Sequence, residues 1–506
     1  MRTASHWEKV GLFAHHGICV PLFSLRSKKS CGIGEFNDLL PLIDWCKKRG
    51  FDCLQLLPLN DTGDDSSPYN PVSSCALDPI YLSLADLSNI EELFAELATF
   101  TALNQSDRLQ RKEVKEQKTK WLCHYFSKVF TSLSHSSHYK DFLSQNPWLL
   151  PYARFKVLSQ EYKDQPWTHW PNPLIEIAQE ALDFHFFLQY LCFSQLENIR
   201  AYASSQNVFL KGDIPILLNP NSADVWAERS LFRLDLTAGA PPDYYTPLGQ
   251  NWGFPLFNWE EMRKTHFTWW KRRLAVATRL YHLYRIDHVV GFFRIWAIPL
   301  GEDPKQGSFI PSERSTWIQQ GEEILQMMID TCPLLPIAED LGTIPDEVSP
   351  SLKNLGICGT KVVRWQKNKD HNYIPYDQYE PFSMTTVSTW DCDTVRMWWD
   401  NFPDEAAKFS TFKHWKYHSK LSSKALLSLL QDAHHTPSYF HINLLQEYLS
   451  LFPELIWDGG EKERLNIPGT LFPSNWTYRF RPFLKEMLNH KGLQEAIETI
   501  LHPKCR

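Results

Sequence analysis

The sequence contains no run of about 18 apolar residues, the least a helix needs to cross a bilayer. Its first residues, MRTASHWEKVGLFAHHG, hold no clean apolar stretch followed by a cleavage site. Both absences point to an intracellular, cytoplasmic chain with no membrane partner. Strong charge of one sign is missing too. The net charge is only -6 over 506 residues, so there is no basic surplus of the kind nucleic acid binding requires. The 11 cysteines, an odd number scattered from Cys19 to Cys505, form no C-x-x-C pair and no regular framework. Reduced, mostly buried thiols are expected. With no H-E-x-x-H and no paired Cys/His cluster, no metal is expected, and His135 and His138 read as solvated residues of a Ser-rich stretch. The phosphate-cradling patterns G-x-G-x-x-G and G-x-x-x-x-G-K-[ST] are also absent. Gly32 and Gly34 open a helix without the third glycine, and no cofactor is expected.

Aromatic and apolar mass is what the chain has in quantity. The hydrophobic fraction is 43%, ample for a large core, and there are 20 tryptophans. Most of these rings must pack inside. Flat aromatic faces also stack on the apolar faces of sugar rings, so the composition permits a carbohydrate enzyme. Length alone suggests about three domains, although one α/β barrel with insertions can exceed ~400 residues.

Residues 17–25 (GICVPLFSL) and 51–59 (FDCLQLLPL) read as strands on either side of a helix at 35–49. There Leu39, Ile43 and Cys46 keep helical spacing and Gly50 supplies the stop. A short continuous apolar run such as 51–59 suits a strand buried on both faces. Strand signals resume at 208–217, 282–287, 334–340, 359–365 and 384–391, with helical patterns between several of them, as at 266–281 and 393–400. Strands alternating with helices imply a parallel sheet. This many over such a length favour an α/β fold of the (β/α)8 TIM barrel type, with helical insertions and no separate C-terminal β-domain. A doubly wound nucleotide-binding sheet is the competitor, weakened by the missing glycine patterns. The expected organisation is a first part of the barrel at 1–81, a mainly helical insertion at 82–205, and the rest of the barrel with its active-site loops at 206–506. Within the insertion, the charged run 108–120 reads as a solvated helix face.

Asp287, Glu339 and Asp391 each end a strand-like run, and Asp213 lies near the end of another. In a barrel enzyme such positions face the active site. One acid there is usually a cap or loop residue, but three brought to one face are harder to dismiss. Carboxylates working without a metal suit glycosyl transfer. A retaining enzyme uses one ionised carboxylate to attack the anomeric carbon and a second, protonated, to serve the leaving oxygen, about 5–5.5 Å apart. Arg285 stands two residues before Asp287, on the same side of a strand, where it favours the ionised form of that acid.

The stretches RIDHVVGFFRIW (285–296), IAEDLG (337–342), SSPYN (66–70), GQNWGFPLFNW (249–259), NSADVW (221–226) and ERLNIPGT (463–470) resemble the motifs of the 4-α-glucanotransferases, also called amylomaltases or disproportionating enzymes, of glycoside hydrolase family 77. The resemblance runs from about Gly17 to Arg481. Segment 237–262 is most similar to the plant cytosolic disproportionating type, although this chain leaves no N-terminal room for that type's starch-binding domains. The resemblance implies an α-1,4-glucan donor, and glucose or a glucan as acceptor. By the same resemblance, Asp287 matches the nucleophile, Glu339 the acid/base, and Asp391 the acid that holds sugar hydroxyls. Arg285 and His288 fall in the motif around the nucleophile. Tyr69 matches a tyrosine that stacks on the transferred sugar. Trp252 matches a loop over the acceptor side, and Asn466 lies in a motif lining the groove. Asp213, Asp224 and Trp226 match further positions, either groove or scaffold.

The sequence departs from this pattern in one place that matters. The family carries T-H-D before and at the third acid, whereas this chain has Thr389, Trp390, Asp391. Indole is larger than imidazole and donates one hydrogen bond only. A donor subsite modified by Trp390 is the expected consequence. SPYN in place of SPYQ is a smaller change. Two rival readings stand beside the transferase: an α-glucan hydrolase on the same barrel, and a glycan-binding protein with reduced catalysis.

Overall fold

The computed structural model describes residues 1–171, 175–242 and 247–502. Cys505 and residues 243–246 of the segment 237–262 lie outside the described residues. In chain order the strands are β1 (His15–Val20), β2 (Cys53–Leu56), β3 (Phe209–Ile214), β4 (Phe232–Ala240), β5 (Gln250–Phe257) and β6 (Leu283–Ile286). They continue with β7 (Ile295–Pro299), β8 (Ser308–Ile310), β9 (Leu335–Ala338), β10 (Gly359–Val362), β11 (Ser383–Thr386) and β12 (Phe440–Leu444).

Eight of these, β1, β2, β3, β6, β9, β10, β11 and β12, form one sheet whose ladders are all parallel, and β12 returns to pair with β1. An isolated parallel bridge between Ile337 and Cys358 joins β9 to β10 and completes the ring. This is the expected (β/α)8 barrel. Side chains fill its interior and helices cover its outside, so β2, β6 and β9 are buried along their whole length. The helix Leu39–Arg49 shows the local logic. It buries Leu39, Leu42, Ile43 and Cys46, carries three basic residues in its last turn, and ends at Gly50 in the left-handed conformation (φ 84°).

The barrel candidates at 17–25 through 384–391 each overlap a barrel strand, but β12 had no counterpart among them. Its sequence, FHINL, alternates apolar with polar residues, and His441 and Asn443 are fully buried. A second sheet, antiparallel in the order β5-β4-β7-β8, grows out of the connections after β3 and β6. Segment 249–259, expected as a loop, therefore runs largely as strand β5. Gly239 allows this pairing, because a Cβ there would lie 2.0 Å from the Gln250 carbonyl oxygen.

Between residues 82 and 205 lie the helices Arg111–Leu133, Ser137–Gln145, Leu149–Glu161 and Gln179–Ser205. The charged run at 108–120 is not wholly solvated, as expected above. Lys118 is 1% exposed, pairs with Glu35 and donates to the carbonyls of Ile80 and Leu82 (both 2.7 Å). Arg111 is likewise buried against Asp78. These two cations fasten the first turns of the helix, beside the apolar face formed by Val114, Trp121, Leu122 and Phe126.

Candidate active site

A cleft of about 1930 Å³ opens where the barrel strands end, and Tyr69, Trp252, Asp287, Glu339, Trp390 and Asp391 all line it. Asp287 is the first residue after β6 and Glu339 the first after β9. The ladder between these strands carries on past both ends: the Glu339 amide donates to the Ile286 carbonyl (2.9 Å) and the Val289 amide to the Glu339 carbonyl (3.0 Å). The two acids are thus held side by side by backbone bonds. Asp391 is placed differently. β11 ends at Thr386, where the Thr386 hydroxyl turns to the Ser388 carbonyl and Asn443 Oδ1 takes the Val387 amide, so the third acid sits on the following loop.

Arg285 organises the centre. Its Nη1 lies 2.9 Å from Asp213 and 2.9 Å from Asp287 Oδ1, and its Nη2 lies 3.6 Å from Glu339 Oε2. One guanidinium therefore serves three carboxylates. Burial opposes its charge, yet the surrounding acids hold its pKa well above the usual arginine value. The other oxygen of Asp287 accepts from the Ile216 amide (3.1 Å), so both oxygens are fixed.

Glu339 accepts from the amides of His288 (2.8 Å) and Leu341 (3.0 Å). Burial is nevertheless the largest influence on it. It outweighs the pull of Arg285, Asp287 adds to it, and the carboxyl rises from 4.5 to about 7. Asp213 is driven by burial to about 6, although Arg285 opposes this and Tyr69 Oη donates to it at 2.6 Å. His288 adopts a left-handed backbone (φ 42°), which turns its amide toward Glu339, and burial lowers its pKa. Trp252 meets the His288 ring edge to face at 5.0 Å.

On the opposite part of the cleft, Asn466 Nδ2 donates to Asp391 Oδ1 (2.6 Å), and burial raises the Asp391 carboxyl above its ordinary value. Trp390 is 5% exposed. Its ring stacks on Tyr69 (6.2 Å, 19°) and lies 4.9 Å from the Arg285 guanidinium carbon. The indole thus packs over the central cation.

The family model described as 4-alpha-glucanotransferase matches residues 20–485. The chain belongs to the 4-alpha-glucanotransferase family. A 4-alpha-glucanotransferase of Chlamydia pneumoniae is 43% identical over 99% of this chain and 97% of that protein. The structure of an amylomaltase from Streptococcus agalactiae in complex with acarbose superposes with a TM-score of 0.81 at 22% identity, over 97% of this chain and 99% of that one. The amylomaltase of Corynebacterium glutamicum gives 0.82 at 20% identity, over 99% of this chain and 76% of that one. These two share the fold. The activity is that of a 4-alpha-glucanotransferase, and the substrates are α-glucans.

Ten of the twelve residues singled out from the sequence fall in this region, with Asp213 beneath the cleft, held by Arg285 and Tyr69. Asp224 and Trp226 do not. Asp224 accepts from the Ser74 amide and Trp269 Nε1 (both 2.9 Å), and Trp226 packs on Trp170 and Phe155, so both are scaffold. Two features went unread in the sequence. The Ile216 amide that holds Asp287 is backbone and leaves no signal. Arg464, which donates to the Asp391 carbonyl (3.1 Å) and pairs with Asp393, stood inside the ERLNIPGT motif but was not singled out.

Proposed function

We propose that this transferase works by a retaining double displacement in which Asp287 is the nucleophile and Glu339 the acid/base. The observation that carries this is the contrast between the two acids. Asp287 is clamped in an ion pair with Arg285, while Glu339 is held near neutrality by burial. A nucleophile must be ionised and a general acid protonated, and these environments divide the roles in that way.

In the first step Glu339 gives its proton to the glycosidic oxygen as Asp287 attacks the anomeric carbon. The C1–O bond breaks, a C1–carboxylate ester forms, and the reducing-end portion leaves with a new 4-hydroxyl. In the second, Glu339 takes the proton of an acceptor's 4-hydroxyl, which attacks the ester and restores Asp287. Asp391, steadied by Asn466, holds hydroxyls of the transferred sugar. Glucose and glucan chains are the acceptors. Trp252 covers the acceptor side from strand β5, and Gly253 beside it has open space around it. A covered acceptor site favours sugar over water. The buried free thiols are compatible with a reducing, cytoplasmic setting.

Incubation with maltotriose tests the reading. Glucose together with chains longer than the starting sugar is the expected product mixture. Glucose and maltose without longer chains would mean hydrolysis, and no turnover with retained binding would mean a glycan-binding protein.

A further inference from the structure

Glu447 has no exposed surface, and the transfer chemistry described above does not use its carboxyl. It stands just after β12, in the short helix Leu445–Leu449. Burying a carboxylate is costly unless its oxygens are bonded. Among the described residues, its side chain accepts from one loop only. The Ser388 hydroxyl donates to Oε1, and the Val395 amide lies 3.1 Å from Oε1 and 3.3 Å from Oε2. Burial raises its pKa, and these two donors oppose the rise more than the charges of Arg364 and Arg396 do.

Ser388 and Val395 are the two ends of the loop that carries Trp390 and Asp391. Asn443 of β12 takes the Val387 amide (2.8 Å) beside them. Between those ends, Asp391 is steadied from a second segment. Asn466 Nδ2 donates to its carboxylate (2.6 Å) and Arg464 Nη2 to its carbonyl (3.1 Å). That segment is tied to the same short helix, because Gln446 Nε2 donates to the Glu463 carbonyl at 2.8 Å.

Two neighbouring residues after β12 therefore hold both halves of the setting around Asp391. The bond between Asp391 and Asn466 forms only when the two segments are in register, and the barrel wall gives them a common anchor. Such support matters because a catalytic group misplaced by about 1 Å can cost on the order of 100-fold in rate.

We propose that Glu447 is a positioning residue for glycosyl transfer: by gripping Ser388 and Val395 it fixes the loop on which Asp391 meets the transferred sugar. Fully buried, it touches no sugar itself. This rests on the reading of Asp391 as the acid that holds sugar hydroxyls.

A double-mutant cycle of Glu447→Ala with Asp391→Ala tests it, read as kcat/KM for fluoride release from α-maltosyl fluoride. In the parent, Glu447→Ala should lower kcat/KM by about 10- to 100-fold, chiefly through kcat. With Asp391→Ala already present it should cost less than about twofold, because no carboxylate is left to place. A substitution that only lowers the folded fraction costs the same factor in both backgrounds. Ser388→Ala removes one bond and leaves Glu447 in place, so it carries the same cycle if Glu447→Ala does not fold. Its expected cost is about threefold in the parent and none beside Asp391→Ala. Equal losses in the two backgrounds overturn the proposal and leave the role of Asp391 standing. If Asp391→Ala alone leaves kcat/KM unchanged, that role fails and the proposal falls with it.

Discussion

Replacing Glu339 with glutamine separates acid catalysis from the other work of the site. Burial lifts this carboxyl from 4.5 to about 7. At pH 7 about half the molecules then carry the proton, where an unshifted glutamate would carry it in roughly 1 in 300. The buried setting therefore enlarges the acid form on the order of 100-fold. Above pH about 7, kcat/KM on maltotriose should decline by about tenfold per pH unit as that proton is lost. The assay compares the parent and Glu339→Gln on two donors, maltotriose and α-maltosyl fluoride, from pH about 5 to about 9. Fluoride departs without a proton, so its release needs the nucleophile but not the acid. The variant should lose at least about 100-fold on maltotriose, show little loss in fluoride release, and have no alkaline limb near neutrality. An equal loss on both donors, or a limb that survives the substitution, refutes the assignment. Asp213, raised to about 6, would then be the next acid to test.

Trp390→His should raise kcat on maltotriose by about three- to tenfold, because imidazole adds a hydrogen bond to the transferred sugar. It should also lower the melting temperature, since the ring packed on Tyr69 and Arg285 is lost; an unchanged or lower kcat sinks the idea. Beneath the barrel, His16 and His441 are both driven by burial from 6.5 to about 4, and burial also holds His434 low. The folded chain thus refuses protons that the unfolded chain accepts at 6.5, so their stabilising share is whole above that pH and fades as pH falls toward 4. Melting temperatures at pH about 7 and about 5 should differ less in His441→Gln than in the parent, and an identical difference in both would show that this cluster is not the cause.

The barrel was legible where its strands are mostly apolar. CLQL and LPIA announce themselves, while FHINL hides because barrel interiors also accept polar side chains, here Asn443, which takes the Val387 amide, and His441, whose Nε2 bonds the Thr436 carbonyl. The antiparallel sheet was hidden for another reason. Its strands carry Gly239, Gly253 and Pro255, residues that read as loop, and only the pairing partner across the sheet makes them extended. Lys118 and Arg111 looked solvated because helical charge gives no hint of a buried acid far away in sequence. For the site, strand ends placed Asp287 and Glu339 correctly, and the motif placed Asp391. What no linear pattern carries is convergence: Arg285 reaches Asp213 and Glu339 across two neighbouring strands, and one guanidinium thereby ties the acids together.

The junction between β9 and β10 bears on how the protein tolerates change. Only one backbone bridge spans it, and side chains do the remaining stitching. Asp340 takes the Thr360 amide at 2.6 Å, and the Thr360 hydroxyl reaches back to the Ala338 carbonyl at 2.8 Å. Gly359 must stay small, because a Cβ there would meet the Asp340 carboxylate at 2.4 Å. Two acids adjacent in the chain therefore fail in opposite ways. On the proposed assignment, damage at Glu339 is expected to leave a folded protein that no longer turns over, whereas damage at Asp340 is expected to loosen the seam and lower stability. A survey of variants scored by activity alone would merge the two positions, and one scored by abundance as well would pull them apart.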